Sequence, residues 1–504
     1  MNIFFHMVFC DVTLGSLNQL IKRYKPESCY ITHVFTDDYK KIEGTVSEAY
    51  FHFDALAAKY EKYVFEKDCP PVDEALLSSM AKYESGIIKM IERVPELLKY
   101  RLNAFPSMTT PSYEDRVRQY HCHLRYWNHM LDAANIKIAI FDRYPHEIYS
   151  YIIHCLCEIK GIAIVSAATF GQMPSFSYFT SNFFDPCPDI VTTYQKFLYQ
   201  FEKLSIDEIM ISSKEIENIF TKFSNKDSNK TPIYMNPQKK WLRNNIALAW
   251  SSIHKEGLLY TCYIIWGWSC WNILNFSKNR KLIKAYDLIA SEADYDKSYI
   301  YFPLHYQPEG TTNPLGGVFV HQFLAISMIS FYLPPNVKIY VKEHPAQFKK
   351  SYGRNISLYH DLSKLPNVQL VERSSDTYKL LENCIAVASI TGTAGFEGLF
   401  MEKPFLMFGS NINMYAPGTF NIRNNEDCKK ALDYILKNGA KHTLKEMKIY
   451  LKALDEVLSC CTAYAFDLTT YGIELLDKEK NIATLVEGYA RIIDEQLELN
   501  KSET

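Results

Sequence analysis

The stretch ASITGTAGFEGLFMEKPFLMFG, residues 388–409, has the pattern of a buried strand, a turn of small residues, a helix and a second short strand. The first apolar run ends at Ser389, the helix is expected to begin near Thr393, and the second apolar run follows at 404–409. Such a unit joins neighbouring parallel strands, because the crossover helix returns the chain to the same edge of the sheet. The stretch therefore predicts an α/β fold.

Two series of such units run along the chain. In the N-terminal part, short runs rich in β-branched and aromatic residues alternate with helical stretches; the runs are NIFFHMVF, CYITHVFT, IKIAIFD and GIAIVSA. A second series starts with YIYFPLHY at 299–306 and continues with VKIYVKEH, VQLVE and IAVASIT. With 504 residues, the chain is also too long for one ordinary core. We therefore predict an α/β domain, an insert, a second α/β domain and a C-terminal helix, at residues 1–204, 205–297, 298–475 and 476–504.

Composition narrows the possible functions and compartments. The net charge is −2, which gives no electrostatic reason to expect nucleic acid binding. The 13 cysteines are scattered and form no CxxC pair, so we expect reduced thiols in a cytoplasmic protein. The start, MNIFFHMVFC, has the pattern of a buried strand rather than a signal peptide. His121, His123 and His129 lack an accompanying carboxylate pattern, so we expect no metal site.

The second half of the insert is apolar. Residues 257–276, GLLYTCYIIWGWSCWNILNF, contain no charged side chain, and most of the tryptophans of the chain lie between Trp241 and Trp271. Three interpretations are open: a membrane span, a core or domain-interface helix, and a peripheral membrane contact through residues 257–284. The basic residues that follow would suit anionic head groups and equally a solvated helix face; they are Lys278, Arg280, Lys281 and Lys284.

The turn after Ser389 is suited to a phosphate. Backbone N–H groups and the positive end of the following helix would point at its occupant. Thr391 and Thr393 add hydroxyl donors, as Ser389 does, and Gly392 lets the backbone approach closely. Glu397, one helical turn further, would accept hydrogen bonds from ribose hydroxyls. An ordinary capped helix packed on a strand is the alternative.

His344 ends another strand at the same predicted edge. In KIYVKEHPAQF, residues 338–348, an acid, an imidazole and Pro345 stand where the strand should stop. The imidazole can donate to a phosphate oxygen and offset charge on a leaving group, while Pro345 turns the chain away. A plain strand end is the alternative. Gln307 and Glu309 follow the first strand of the second series and would reach this edge, where Glu309 could be catalytic, bind sugar hydroxyls or only pair locally.

The chain resembles the capsule polysaccharide biosynthesis family in three segments, FPLHYQPEGTT, VKEHP and SITGTAGFEGLFMEKPFLMFG. This family includes Kdo transferases that use CMP-activated sugar. The pairing of HP with a later Ser/Thr-rich turn also resembles bacterial sialyltransferases and polysialyltransferases of the GT-B fold. FDRYPHEIYSYIIHCLCEIKGI, residues 141–162, is similar to a segment of related surface-carbohydrate proteins. The resemblance covers residues 299–409 and 137–162, and it does not extend over 205–297.

The resemblance implies a GT-B protein, in which two Rossmann-like domains face each other across a cleft. The Trp-rich insert would lie between the domains, and the C-terminal helix would pack back on the N-terminal domain. No metal or other cofactor is implied, because hydrogen-bond donors can manage the departure of a single-phosphate leaving group. The residues implied to bind the nucleotide-sugar are Gln307, His344, Pro345, Ser389, Thr391, Gly392, Thr393 and Glu397.

The acceptor side would then supply an acid or base. Glu147 is the first candidate, because it opens a helix directly after the strand IKIAIFD, although its charge could serve only the helix N-terminus. Asp142 and His146 are neighbouring candidates. Related Kdo transferases are retaining, and a retaining route would need a second carboxylate as nucleophile. The sequence decides neither the stereochemical outcome nor the choice among Glu309, Asp185 and Asp189.

We therefore expect a glycosyltransferase of capsule or lipopolysaccharide synthesis at the inner face of the cytoplasmic membrane. It would move an ulosonic or nonulosonic acid, of the Kdo, pseudaminic, legionaminic or sialic acid type, from a CMP-sugar to a glycan or lipid-linked glycan. Two alternatives stay open. One is a UDP- or GDP-hexose transferase of the same fold, for which Lys342 and Lys403 are the basic residues near the motifs. The other is a non-catalytic carbohydrate-binding subunit of a capsule assembly complex.

Overall fold

The computed structural model describes most of the chain in nine stretches. They are residues 1–33, 38–56, 69–92, 111–224, 258–307, 312–348, 354–439, 442–463 and 476–502. Glu309 and the polar first half of the predicted insert after residue 224 lie outside the described residues.

The N-terminal unit is built on a six-stranded sheet with the order β3-β2-β1-β4-β5-β6. Neighbouring strands are parallel except for the antiparallel pair β5 and β6. Both faces of the sheet are buried, which is why its strands are continuous apolar runs in the sequence. The strands are β1 (Asn2–Val8), β2 (Ser28–His33), β3 (Val46–Phe51), β4 (Ile136–Phe141), β5 (Ala163–Phe170) and β6 (Met173–Thr180). The helices are α1 (Asp11–Tyr24), α2 (His52–Leu56), α3 (Glu74–Ile91), α4 (Tyr113–Ala133) and α5 (Ile148–Lys160).

Three described helices connect the two sheets, and a second six-stranded sheet follows. The connecting helices are α6 (Asp189–Gln200), α7 (Lys214–Ser224) and α8 (Leu258–Asp287). All neighbouring strands of the second sheet are parallel, in the order β12-β11-β10-β7-β8-β9. They are β7 (Tyr299–Pro303), β8 (Lys338–Lys342), β9 (Val368–Leu370), β10 (Ala386–Ser389), β11 (Phe405–Met407) and β12 (Thr419–Asn421). The remaining helices are α9 (Gln322–Tyr332), α10 (Ile356–Ser363), α11 (Thr377–Asn383), α12 (Thr393–Leu399), α13 (Asn425–Asn438), α14 (Leu444–Val457) and α15 (Lys478–Ser502).

The two sheets have the same strand order. In each, the first strand lies in the centre, the next two strands extend to one side and the last three extend to the other. This is the doubly wound order of nucleotide-binding Rossmann folds, in which ligands bind where the strand order reverses, beyond the carboxyl ends of the strands. The reversal lies between β1 and β4 in one unit and between β7 and β10 in the other. The fold confirms the prediction of two Rossmann-like domains.

The chain crosses between the units twice. Helices α6 and α7 pack on α14 of the C-terminal unit, and the final helix α15 returns to pack on α1 and β5 of the N-terminal unit. The units also touch near the carboxyl edges of their sheets. Phe170, at the end of β5, lies edge-on to Phe396 in α12, and the Asn313 Nδ2 atom donates to the Gly86 carbonyl over 3.0 Å.

Helix α8 joins the C-terminal unit through its last turns, where Leu282 and Tyr286 are buried in the core. Its earlier part exposes apolar side chains. Among the helices that the structure describes, none has the length and apolar character needed to cross a membrane.

Candidate active site

The loop after β7 is held by two glutamine side chains. Gln322 Oε1 accepts the His305 N–H over 2.8 Å, and Gln322 Nε2 donates to the His305 carbonyl over 3.2 Å. Gln347 makes the same pair of bonds to the backbone of Gln307, at 2.8 and 3.1 Å. Because all these groups are buried, the two amides fix the path of the loop at the carboxyl edge of the sheet.

His305 then organises the turn after β10. Its Nε2 atom lies 2.8 Å from Ser389 Oγ and 3.2 Å from the Thr391 nitrogen, which donates to it. Burial lowers the pKa of His305 to about 3, so the ring is neutral and Nε2 is an acceptor. Ser389 Oγ in turn accepts the Gly392 N–H over 3.3 Å. The sequence analysis did not select His305.

These bonds change the interpretation of the turn. We expected the N–H groups of the turn and the Ser389 hydroxyl to face a ligand, but Ser389 and Thr391 bond His305, and the Gly392 N–H bonds Ser389 within the turn. A Cβ atom at Gly392 would lie 2.6 Å from Ser389 Oγ, so this glycine is required by packing within the turn. Thr393 remains exposed at the start of α12. The turn therefore offers fewer free hydrogen-bond donors to a ligand than its sequence suggests.

His344 presents a hydrogen-bond donor at the same edge. Its Nδ1 atom accepts the Ala346 N–H over 3.1 Å, which leaves the proton of the neutral ring on Nε2. Burial, assisted by the charge of Arg354, lowers the pKa of His344 to about 4, so the ring is neutral near pH 7. Pro345 opens a single 3₁₀ turn, Pro345–Phe348, and is itself exposed.

Glu343 holds the backbone next to His344 in place through buried hydrogen bonds and an ion pair. Its carboxylate binds Arg354 over 2.8 Å and accepts the Tyr359 hydroxyl over 2.7 Å and the His344 N–H over 2.7 Å. The acid beside the imidazole is therefore a buried structural anchor. The end of β8 is therefore more than a plain strand end, because these buried bonds hold the imidazole of His344 in place.

Several buried polar atoms near this edge lack partners. The Gln307 side chain is 1% exposed, yet neither its Oε1 nor its Nε2 atom has a hydrogen bond from any described residue. Thr391 Oγ1, Thr312 Oγ1 and Asn313 Oδ1 are likewise buried and unpaired within the described part of the chain. Unpaired polar atoms cost free energy in a folded protein, so they indicate a polar ligand or ordered water.

Glu397 lies one turn into α12, and Lys222 of α7 is the charged group that acts on its carboxyl. Burial raises the pKa of Glu397 to about 7, and the nearby Lys222 only partly offsets this. Its predicted contact with ribose stays a prediction.

The N-terminal unit carries a second cluster where its strand order reverses. Asp142 follows β4, and its Oδ1 atom lies 2.8 Å from Nδ1 of His6 in β1. The other carboxylate oxygen of Asp142 is bound by Arg143. Tyr149 Oη lies 3.1 Å from His6 Nε2 and 2.7 Å from Nδ1 of His52, which follows β3. His6, His52, Tyr149 and Arg143 were not selected from the sequence, although two of them stand at strand ends.

Glu147 lies within this cluster and precedes α5. Its carboxylate accepts the Ser150 hydroxyl over 3.0 Å and lies 3.5 Å from His146 Nε2 and 3.9 Å from His6 Nε2. Burial raises the pKa of Glu147, but His146, His6 and Arg143 together outweigh burial and hold that pKa below its usual range. The carboxylate is therefore ionised near pH 7. The structure thus brings together the three predicted residues Glu147, His146 and Asp142.

The remaining candidate carboxylates lie apart from both clusters. Asp185 accepts the Tyr415 hydroxyl, Asp189 begins α6 near Arg491, and both are exposed. Among the described residues, no group of three His, Cys, Asp or Glu side chains is arranged to hold a metal ion.

Two Rossmann-like units, with polar side chains where each strand order reverses, define an α/β protein of the GT-B class. Within the C-terminal unit, the family model described as capsule polysaccharide biosynthesis protein matches residues 321–418. This segment includes His344, the turn after β10 and Glu397. Over these residues the chain is similar to the capsule polysaccharide biosynthesis family, as the resemblance indicated.

Solved structures show only distant similarity. The β-Kdo 2,7-transferase KpsC of Thermosulfurimonas dismutans is 17% identical with a TM-score of 0.24; the match covers 42% of this chain and 61% of that chain, which is less than two thirds of its length. UDP-GlcNAc 2-epimerase from Methanocaldococcus jannaschii is 11% identical with a TM-score of 0.25, over 91% of this chain and 99% of that chain. The enzyme of that name from Neisseria meningitidis, bound to UDP-GlcNAc, is 9% identical with a TM-score of 0.22, over 90% and 97%. Such TM-scores support no inference about fold or function. No curated protein sequence matches this chain.

Proposed function

We propose that this protein is a glycosyltransferase of capsule or lipopolysaccharide synthesis that transfers an ulosonic or nonulosonic acid from a CMP-sugar to a glycan. The observation that carries the proposal is that one sheet edge holds both the His344 Nε2–H donor and the buried Gln307 amide, which has no partner among the described residues. Both lie beside the segment that matches the capsule family or within it. The 13 free cysteines fit a reducing compartment, so we propose a cytoplasmic location.

A donor with a single phosphate suits the surrounding charges. Lys342 is buried and donates to the Ser375 carbonyl over 2.5 Å and to Thr377 Oγ1 over 3.0 Å, so it has a structural role. Lys403 precedes β11 and therefore lies toward the amino edge of the sheet, opposite the candidate site. Neither lysine is placed for the second phosphate of a UDP- or GDP-hexose. Among the described residues, the charges therefore favour a CMP-sugar over the hexose alternative.

The transfer reaction would need one hydrogen-bond donor for the phosphate and one base for the acceptor hydroxyl. The bond between the anomeric carbon and the phosphate oxygen breaks, and the phosphate keeps the electron pair. The His344 Nε2–H stabilises the charge that develops on this phosphate. The acceptor hydroxyl attacks the anomeric carbon and gives its proton to the ionised Glu147 carboxylate. This direct route inverts the anomeric centre, and a retaining route would add a nucleophilic carboxylate, for which Glu309 stays a candidate.

Nucleotide binding is the first test. We expect CMP to raise the melting temperature of the purified protein more than CDP, UDP, GDP or ADP, with no change when EDTA is added. Selective stabilisation by UDP or GDP would support the hexose alternative. No response to any nucleotide would overturn the proposed donor site.

Glu147→Gln tests the chemical step. We expect loss of sugar transfer with CMP affinity unchanged, since the amide cannot accept the proton of the acceptor hydroxyl. Glu158→Gln is the matched control, because Glu158 lies in the same helix but pairs with Lys82 at the surface. Full transfer by Glu147→Gln would remove Glu147 from the mechanism. Wild-type protein that binds CMP without any transfer would favour the non-catalytic carbohydrate-binding subunit.

A further inference from the structure

The first half of α8 exposes apolar side chains on one side. At 100° per residue, these side chains fall within about 100° of the helix circumference, and they extend over about 27 Å. The large apolar side chains among them are between 49% and 69% exposed. The residues of this face are Leu258, Cys262, Ile265, Trp266, Ile273 and Phe276.

Positive charge follows directly on the same face. Arg280 and Lys284 continue the line of Phe276, and the Arg280 guanidinium lies 5.4 Å from the centre of the Phe276 ring. Lys281 and Lys278 are also exposed, but at 100° per residue they lie further round the helix, Lys278 almost opposite the apolar side chains.

The acidic residue nearest to these cations does not neutralise them. Both carboxylate oxygens of Asp287 bind Arg373 at 2.8 Å. A shallow, open concavity lies on this side of the last turns of α8, lined by Arg280, Ile283, Lys284, Asp287 and Leu288. The exposed apolar side chains of α8 are thus followed by two cations, Arg280 and Lys284, beside a shallow concavity.

We propose that this face of α8 docks on the surface of an anionic lipid bilayer. The apolar side chains would enter the boundary between head groups and acyl chains, where Trp and Phe are favoured. Arg280 and Lys284 would contact lipid phosphates at the end of the face, with a lipid head group in the concavity. The contact is peripheral, which agrees with the finding that no described helix can cross a membrane. It is a property of α8 and goes beyond the proposed transfer reaction.

The charge pattern favours lipid over a second copy of the chain as the occupant. Two copies packed in parallel through this face would bring the Arg280 and Lys284 cations of both copies together, which costs free energy. An anionic bilayer neutralises those cations and covers the apolar face at once. Self-association is therefore an outcome of the test and not the expected one.

Vesicle flotation with the full-length protein tests this proposal. We expect binding to phosphatidylcholine vesicles that contain phosphatidylserine, and at least tenfold weaker binding to vesicles of phosphatidylcholine alone. High salt should weaken the binding by screening the cations, without abolishing it, because the apolar part persists. Absence of binding to the anionic vesicles would overturn the proposal.

Two variants separate the apolar and the cationic contributions. Ile273→Asp places a charge in the apolar face, and Arg280→Gln/Lys284→Gln removes two cations; each should reduce anionic vesicle binding at least tenfold. The controls are Phe331→Asp, at an 80% exposed residue of α9, and Lys196→Gln/Lys203→Gln, which should bind like wild type. Wild-type binding by both α8 variants, or a concentration-dependent dimer that Ile273→Asp abolishes, would overturn the proposal.

Stabilisation by CMP provides an independent readout. We expect all variants to keep the wild-type response to CMP, because α8 contributes none of the candidate site residues. Vesicle binding that fails while the CMP response persists would reject the lipid contact and leave the transfer proposal standing. If Ile273→Asp does not fold, the double glutamine variant alone decides the lipid contact.

Discussion

His344 combines two properties that a phosphate ligand requires. Its ring is neutral at physiological pH because burial lowers its pKa to about 4, and the Ala346 N–H occupies Nδ1, which directs the proton to Nε2. A hydrogen bond to a charged phosphate contributes about 1.5–3 kcal/mol. The residue itself is thus prepared as a donor before any ligand binds.

We expect His344→Ala to weaken CMP binding by about 10- to 100-fold, in line with the loss of one charge-assisted hydrogen bond. His344→Gln should retain much of the affinity, because its side-chain amide can place an N–H near the position of Nε2. Isothermal titration calorimetry measures both. Equal CMP affinities of the two variants and wild type would show that His344 does not bind the phosphate and only ends the strand.

Glu397 gives a prediction about pH. Its native pKa of about 7 lies above the ordinary value of 4.5, because the carboxyl is buried. Between these two values the native protein holds a proton that the unfolded chain has released, so stability falls as pH rises through this window. The raised pKa therefore lowers stability at alkaline pH.

Glu397→Gln should consequently raise the melting temperature near about pH 8 and change it little near about pH 4. Glu426→Gln is the control, since Glu426 is exposed and pairs with Lys430 at the surface. Equal shifts of Glu397→Gln at both pH values would show that the carboxyl is not buried in solution.

At the scale of elements, α12 lies unusually close to β11. A Cβ atom at Gly395 would lie 2.2 Å from the ring of Phe405, so the helix and strand can approach only because this residue is glycine. We expect Gly395→Ala to lower the free energy of unfolding by about 1–3 kcal/mol through overpacking. Urea denaturation measures the change.

Gly171→Ala is the matched control, because nothing lies within 4 Å of a Cβ atom at Gly171. That variant should match wild type within about 0.5 kcal/mol. A similar loss of stability in the two variants would show that the contact with Phe405 does not decide the effect.

The helices and strands were largely predictable from sequence, whereas the hydrogen bonds that their side chains make to distant residues were not. The strand, turn and helix of residues 388–409 were predicted because apolar runs and small residues act locally. The hydrogen bond between His305 and Ser389 was not predicted, because the two residues lie 84 positions apart in sequence. No local pattern signals a partner at that distance.

At the scale of the whole molecule, α15 ties the end of the chain to the N-terminal unit. Tyr489 and Ile493 are almost completely buried against that unit, and the Gln496 amide bonds both backbone groups of Ile164. The C-terminal residues thus complete the N-terminal core.

We expect Ile493→Ala to destabilise the N-terminal unit by about 2–5 kcal/mol, while the C-terminal sheet is affected less. Hydrogen exchange resolves this: amides of β1 and β5 should lose protection, and those of β7 and β10 should keep it. Leu499→Ala, at a residue that is 62% exposed, is the control. A uniform loss of protection in both sheets would mean that the two units unfold as one.

The sequence by itself determined the two series of strands, and hence two Rossmann-like units, because burial on both faces imposes continuous apolar runs on each strand. It also placed His344 and Glu147 at strand ends, where ligands bind in such sheets. Only the tertiary structure decided which groups stay free to meet a ligand. The hydrogen bond between His6 and Asp142, 136 residues apart, and the burial of the Gln307 amide without a partner in the described part of the chain arise from contacts between distant segments. Hydrogen-bond partners are set by three-dimensional proximity, which local sequence patterns do not encode.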